Sequence, residues 1–332
     1  MELILSILGV LIGFFFLIKG ADTFVDGASN LARKFGIPSI IIGLTIVAIG
    51  TSLPEMMVSI ASSLTGKNDM SIANVTGSNL FNICVVLALS SIIMKNKYDT
   101  KLTIGENIKS FFRVIFLIDG DITSRFLILG NVVLLIGSLI DGTVGRIDGL
   151  ILVGLATSYI ILLIKSSKSN NESSNEESDS AQDIPVFKQI LFMVLGSIGI
   201  VIGGDLVVDS ATKIGQIVGL SENVIGLTIV AMGTSLPELV TSLVAIKKGE
   251  ADIALGNALG SNILNILIVL GLSSLISPIA VTSVALVDMI IALIISLCIA
   301  ATLVKRNNVL SKNLGIIYLL TYVAYTIFAI VR

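Results

Sequence analysis

Ile42-Gly43-Leu44-Thr45-Ile46-Val47-Ala48-Ile49-Gly50-Thr51-Ser52-Leu53-Pro54-Glu55 returns at Ile225–Glu238 with one change, Met232 in place of Ile49. The two stretches lie 183 positions apart, and the same offset superposes Asp22 on Asp205, Asp26 on Asp209 and Asn74 on Asn257. It also carries Gly77-Ser78-Asn79 onto Gly260-Ser261-Asn262 and Asn82 onto Asn265. One offset sustained over roughly sixty residues marks an internal repeat.

The sequence around the repeat is apolar. Of 332 residues, 54% are hydrophobic and 13% charged, with a mean hydropathy of +1.00. Soluble domains carry about 25% charged residues, so a soluble enzyme, a secreted disulfide scaffold and a nucleic-acid binder are all disfavoured. A net charge of −2 offers no basic surface for nucleic acid. Cys84 and Cys298 both sit in apolar runs, which suits neither a disulfide framework nor a zinc site. The lack of histidine removes the usual proton shuttle and the commonest transition-metal ligand.

A spanning helix needs about 20 apolar residues. Suitable runs fall at 3–18, 37–64, 70–94, 126–141 and 147–164, and again at 187–204, 222–246, 252–276, 281–304 and 313–331. The first begins at Leu3 without a basic flank or a small-residue cleavage site, so it is expected to remain as a helix. Between the two sets, residues 165–186 form a polar, acidic segment that cannot bury a core. A solvated linker is the simple reading, and a calcium-sensing role for its acids is the alternative. Residues 95–125 contain only a short apolar piece, Phe111–Ile118, and are assigned to a loop, with an interfacial helix as the other option.

With the N-terminus outside, seventeen Lys and Arg fall in inside loops. Only Lys67, Arg146, Lys213 and Arg332 fall outside, which accounts for all 21. That is a strong positive-inside bias. The expectation is therefore an all-α membrane protein of ten transmembrane helices, with both termini outside and the linker cytoplasmic. Residues 1–164 and 187–332 would be two five-helix repeats. An odd number of spans forces the second copy to enter from the opposite side, which gives inverted topology and a site near the midplane.

Glu55 and Glu238 lie well inside apolar runs, where an ionised side chain costs at least about 2.5 kcal/mol. One reading is a protonated glutamate bonded between helices. The other is a cation site, since two carboxylates brought together repel unless a cation or protons lie between them. With oxygen ligands alone, such a site suits a hard ion such as Na⁺ or Ca²⁺. Pro54 and Pro237 lack an N–H and clash with the carbonyl four residues back. Each helix should kink there and free carbonyls near Ala48 and Ala231. Thr51, Ser52, Thr234 and Ser235 supply hydroxyls either to an ion or to the broken backbone.

Ser78 and Asn82 share a helix face, as do Ser261 and Asn265. Asn82 and Asn265 are read as ion ligands or interhelical ties, and Asn79 and Asn262 as ties. Gly77 and Gly260 should allow close helix approach. Asp22, Asp26, Asp205 and Asp209 are expected at or beyond the ends of the first and sixth spans. They are solvated there, or they form a weak cation funnel.

The paired Gly-Thr-Ser-Leu-Pro-Glu, each followed by Gly-Ser-Asn-x-x-Asn, resembles the two α-repeats of the calcium/cation antiporter superfamily. It looks most like the prokaryotic sodium/calcium exchangers. That resemblance implies ten helices, with the second, third, seventh and eighth around the ions. Glu55 and Glu238 would be shared ligands of Ca²⁺ and Na⁺. Thr51, Ser52, Thr234, Ser235, Ser78 and Ser261, the Ala48 and Ala231 carbonyls, and Asn82 would add oxygens. Asn265 departs from relatives that carry aspartate there, which argues against potassium co-transport. Proton-coupled relatives typically show Gly-Asn-Ala-Thr-Glu, so Gly-Thr-Ser-Leu-Pro-Glu favours sodium as the driving ion.

The function so implied is Na⁺/Ca²⁺ antiport by alternating access. Proton/Ca²⁺ exchange is the runner-up, and a cation channel is a more distant alternative. The transported ions and the lipid bilayer are the partners expected; no cofactor, nucleic acid, enzymatic activity or obligatory protein partner is.

Overall fold

A computed structural model describes residues 1–66, 69–93, 121–171, 184–220, 229, 231–305 and 311–331. Its elements are nearly all helices: α1 Glu2–Phe35, α2 Ser39–Thr51, α3 Leu53–Leu64, α4 Met70–Ile93, α5 Ile122–Asp141 and α6 Arg146–Asn171. They continue with α7 Val186–Ile217, α8 Ala231–Gly233, α9 Leu236–Lys247, α10 Ala251–Ile276, α11 Ser283–Lys305 and α12 Lys312–Val331. Among the described residues, eight are long and apolar enough to cross a membrane, or up to nine if the bent pair α2 and α3 counts as one span. The run 222–246 is described only at 229 and from 231 onward. Most of segment 95–125 and the middle of linker 165–186 lie outside the described residues.

The all-helical expectation needs one amendment. Thr143–Val144 pairs antiparallel with Ile279–Ala280, a two-residue ladder that period-two patterning is too short to reveal. Helix α6 also runs on to Asn171, past the apolar run, because its polar tail contains no proline or glycine.

Helix α1 runs on past the end of the first apolar run. Nothing interrupts it until Gly36, which takes φ 62° and caps the carbonyls of Ala32 and Arg33 with its N–H. Its 34 residues, at about 1.5 Å each, make a rod of about 51 Å, longer than the ~30 Å hydrocarbon core. Asp22 and Asp26 thus lie within a continuous helix, not at its end, and Asp205 and Asp209 lie likewise within α7. The sequence reading stopped the helix where hydropathy fell, but small residues such as Ala21, Gly27 and Ala28 keep it packed further on.

The chain forms two compact units. One comprises Met1–Pro54, Ser166–Ser261 and Val323–Arg332. Its core joins Leu17, Phe24 and Val25 of α1 to Met193, Ile200 and Val207 of α7, with Val47, Val240 and Ile253. Glycines let α1 and α7 touch backbone to backbone. A Cβ on Gly20 would sit 2.7 Å from the Ile200 nitrogen, and one on Gly203 would sit 2.5 Å from the Leu17 nitrogen. Gly260 behaves as expected, since a Cβ there would meet the Leu44 oxygen at 2.6 Å. The other unit comprises Glu55–Lys165 and Asn262–Tyr322. In it α5 packs on α11 through Ile128, Ala300 and Ala301. Around Gly77 no described atom comes within 4 Å of an added Cβ.

Outward faces are apolar: Leu5, Leu11 and Phe15 on α1, Val194 and Ile198 on α7, and Leu320 and Ile327 on α12 are all exposed. The backbone contacts give a test. Gly20→Val should destabilise the protein by about 2 kcal/mol or more through overpacking, seen as a lowered Tm in detergent. Gly154→Val, with nothing within 4 Å among the described residues, should leave Tm unchanged.

Candidate ion-binding site

The proline-induced break falls at Ser52. Helices α2 and α3 are bent by 50° there, and Ser52 leaves helical geometry at φ −86°, ψ 10°. In the second copy Thr234 and Ser235 form the turn between α8 and α9. Ser235 takes φ −93°, ψ 3°, nearly the Ser52 conformation. Each break turns the following glutamate, Glu55 or Glu238, into the first turn of a new helix. The Ala48 carbonyl is not fully released, because it still accepts the Ser52 N–H at 3.0 Å and keeps a second lone pair. Ala231 opens α8.

In the first unit Glu238 is fully buried. Its Oε1 accepts the Ser52 hydroxyl at 2.9 Å, and the hydroxyls of Thr51 and Ser261 flank the carboxylate. Its Oε2 is buried with no hydrogen-bond partner among the described residues. Thr51 donates to Asn257 Oδ1 at 2.9 Å, and its oxygen lies 3.4 Å from that of Ser261. Asn257 in turn donates to the Glu238 carbonyl at 3.2 Å and to Ser242 Oγ at 3.0 Å.

The second unit repeats much of this chemistry. Glu55 is fully buried and accepts the Ser78 hydroxyl at 3.1 Å on Oε1. Asn265 donates to Ser78 Oγ and to Asn79 Oδ1, both at 3.2 Å. Asn74 donates to the Glu55 carbonyl at 3.2 Å and to Ser59 Oγ at 3.1 Å, matching the two Nδ2 bonds of Asn257. Asn79 and Asn262 exchange amide-to-carbonyl bonds at 3.2 Å, the interhelical tie expected of them.

Several oxygens here have no donor. Asn82 is fully buried with neither amide atom partnered among the described residues, and the Oδ1 atoms of Asn262 and Asn265 are in the same position. Asn265 is therefore a tie through its nitrogen and an open acceptor through its oxygen. A buried acceptor without a donor is costly, and an oxygen of this kind is able to face a cation. Among the described residues no three acidic, histidine or cysteine side chains cluster. Each unit thus offers one carboxylate and neutral oxygens, donor chemistry that suits a hard cation.

Three features were not legible from sequence as functional. Asn74 and Asn257 were visible as repeat partners, but their role depends on which carbonyl each faces. The π-helical segments Gly43–Val47, Asn82–Leu87 and Asn265–Leu270 begin at or near site residues, where such wide turns commonly mark function. Their local sequence carries no signal for them. Lys248 is the third. Its Nζ binds Asp22 at 2.8 Å and Asp26 at 2.6 Å. One tethered cation thus pairs with both aspartates and offsets one of their two charges. Burial pulls the Lys248 ammonium pKa down, but the two aspartates more than offset this and leave it raised. Nearby, Glu250 accepts from Ser29 and pairs with Arg33 at 3.4 Å.

Long helices with apolar outer faces and ionisable side chains sealed within define the class of membrane transport proteins. A family profile described as sodium/calcium exchanger protein matches residues 5–165 and 188–331, and the chain belongs to that family. It is 33% identical to the inner membrane protein YrbG of Escherichia coli, covering 93% of this chain and 91% of that one. It is 32% identical to the sodium/calcium exchanger MaX1 of Methanosarcina acetivorans, covering 96% of each. Among solved structures it matches the sodium-calcium exchanger NCX_Mj with a TM-score of 0.75 at 34% identity, over 99% of this chain and 98% of that one. Membership makes the chain a multi-pass membrane exchanger of cations, a transporter and not an enzyme.

The carboxylate bonds generate the next test. A hydrogen bond to a charged group contributes about 1.5–3 kcal/mol. Ser52→Ala and Ser78→Ala should each weaken Ca²⁺ binding by about tenfold or more, measured by calorimetric titration of purified protein. Unchanged affinity in both would separate these hydroxyls from the ion.

Proposed function

We propose that the protein is a secondary active antiporter that exchanges Na⁺ for Ca²⁺ by alternating access, both ions sharing one midplane site built on Glu55 and Glu238. The observation that carries this reading is the pair of fully buried carboxylates at repeat-related positions. Each accepts a serine hydroxyl from another helix, and each belongs to a unit with a donorless buried oxygen: Glu238 Oε2 itself in the first unit, the amide oxygens of Asn82 and Asn265 in the second. The covalent chain supports a shared site. Ser52 donates to Glu238, and Glu55 follows Ser52 by three residues, at most about 11 Å of extended chain.

In this reading Glu55, Glu238, Thr51, Ser52, Thr234, Ser235, Ser78, Ser261, Asn82, Asn265 and the Ala48 and Ala231 carbonyls hold the ions. One Ca²⁺ or several Na⁺ neutralise the two carboxylates. Without a cation, two buried negative charges resist closure, because desolvation costs several kcal/mol per ion. Only cation-filled states then change face, which produces exchange instead of leak. No cofactor and no protein partner enters the cycle.

The architecture that serves this cycle is ten helices in two inverted five-helix repeats, 1–164 and 187–332. Both termini lie outside and linker 165–186 inside. The matched bonds of Asn74 and Asn257 and the distribution of lysine and arginine favour it. Relatives' names bear on the ion: MaX1 is named a sodium/calcium exchanger, whereas a 37% identical protein of Alkalimonas amylolytica is named only a putative antiporter, CaxA.

The test is ⁴⁵Ca²⁺ uptake into proteoliposomes loaded with Na⁺. Uptake should follow an outward Na⁺ gradient and vanish in Glu55→Gln and in Glu238→Gln. Uptake driven by a pH gradient and indifferent to Na⁺ would replace sodium with protons as the coupling ion. Full activity in both variants would remove the glutamates as ligands.

A further inference from the structure

We infer that Asn257 is a positioning residue that fixes the Thr51 hydroxyl as a pure electron-pair donor toward the ion and, through its amide nitrogen, holds the helix turn that carries Glu238. The inference rests on the ion site proposed above.

Asn257 is fully buried on α10 and uses three of its four hydrogen-bonding capacities. Its Oδ1 accepts the Thr51 proton at 2.9 Å, closer than the competing Ala48 carbonyl at 3.4 Å. A threonine hydroxyl has one proton and two lone pairs. With the proton committed to Asn257, the oxygen keeps a lone pair for a cation beside its 3.4 Å approach to the Ser261 oxygen, and the hydroxyl cannot turn its positive end toward the ion.

The two Nδ2 protons act elsewhere. One bonds the Glu238 carbonyl at 3.2 Å and the other Ser242 Oγ at 3.0 Å, one turn further along α9. These bonds brace α9 just after the break at Thr234 and Ser235, where the backbone ladder is interrupted. One side chain therefore sets a ligand on each side of the repeat, Thr51 from the first copy and Glu238 from the second. The amide-to-carbonyl bond recurs at Asn74 and Glu55 at the same 3.2 Å. A brace behind the glutamate thus belongs to the motif itself, beyond general packing. Asparagine suits the position because only a side-chain amide offers an acceptor and two donors without adding charge beside the carboxylate.

A double-mutant comparison tests this in the full-length protein in proteoliposomes. Asn257→Ala should raise the KM for Ca²⁺ on the order of tenfold, the scale of one buried hydrogen bond, and Thr51→Val should do about the same. Combined, they should raise KM by clearly less than the product of the two separate effects, because only the Glu238 brace is left for Asn257→Ala to remove once the Thr51 hydroxyl is gone. In Asn257→Asp, which keeps the acceptor, Thr51→Val should retain its full effect, and this pair serves if Asn257→Ala does not fold. Ser242→Ala removes a bond to Asn257 without touching Thr51, so it should lower Tm and leave KM in place. Additive effects of Asn257→Ala and Thr51→Val, or a lowered Tm with unchanged KM in Asn257→Ala, would overturn the inference. An unchanged KM in Thr51→Val alone would instead remove Thr51 from the ion site, and the positioning role with it.

Discussion

A carboxylate sealed inside a membrane-spanning bundle must be compensated, and the rest of this molecule is arranged around doing so twice. Glu55 and Glu238 are fully buried, where neither bulk water nor a histidine can share their charge. Lys248, which follows the helix that carries Glu238, is committed to Asp22 and Asp26. What remains is hydroxyl and amide chemistry: Ser52 on Glu238, Ser78 on Glu55, and oxygens left without donors. Under the proposed function, that environment is completed by one divalent cation or its equivalent in monovalent ions.

The helix breaks follow from the same constraint. A continuous α-helix spends its carbonyls on its own N–H groups, and its side chains radiate at fixed angles. Pro54 and Pro237 interrupt it one residue before each glutamate, and the chain bends by 50° at Ser52. Thr51 and Ser52 can then serve partners on other helices. Broken backbone at membrane depth is tolerated only where protein buries it, and Asn74 and Asn257 bond the glutamate carbonyls just after the breaks.

Much of this was legible in the sequence. The recurrence of Gly-Thr-Ser-Leu-Pro-Glu at one offset announced the repeat, the break and the two acids, because proline sterics and carboxylate desolvation act locally. The length of α1 was not legible: its last turns are held by contacts with distant residues such as Met193, and hydropathy alone ended it too early. The Asp22–Lys248 pair was hidden for the same reason, since its members lie 226 residues apart. Asn257 illustrates the boundary. Its repeat partner could be read from the chain, but its bond to Thr51 spans 206 residues and exists only in the fold. The two-residue ladder at Thr143–Val144 and the π-helical turns at Asn82 and Asn265 were likewise below what local pattern can show.

The central claim is that Ca²⁺ and Na⁺ occupy one set of oxygens between the same two carboxylates. Equilibrium binding of ⁴⁵Ca²⁺ to the purified protein at rising Na⁺ addresses it without a membrane or a gradient. A shared site predicts that bound Ca²⁺ falls to zero, with the apparent Kd rising more steeply than the first power of Na⁺ concentration. A fraction of bound Ca²⁺ that persists at saturating Na⁺ would mean separate sites and contradict the account.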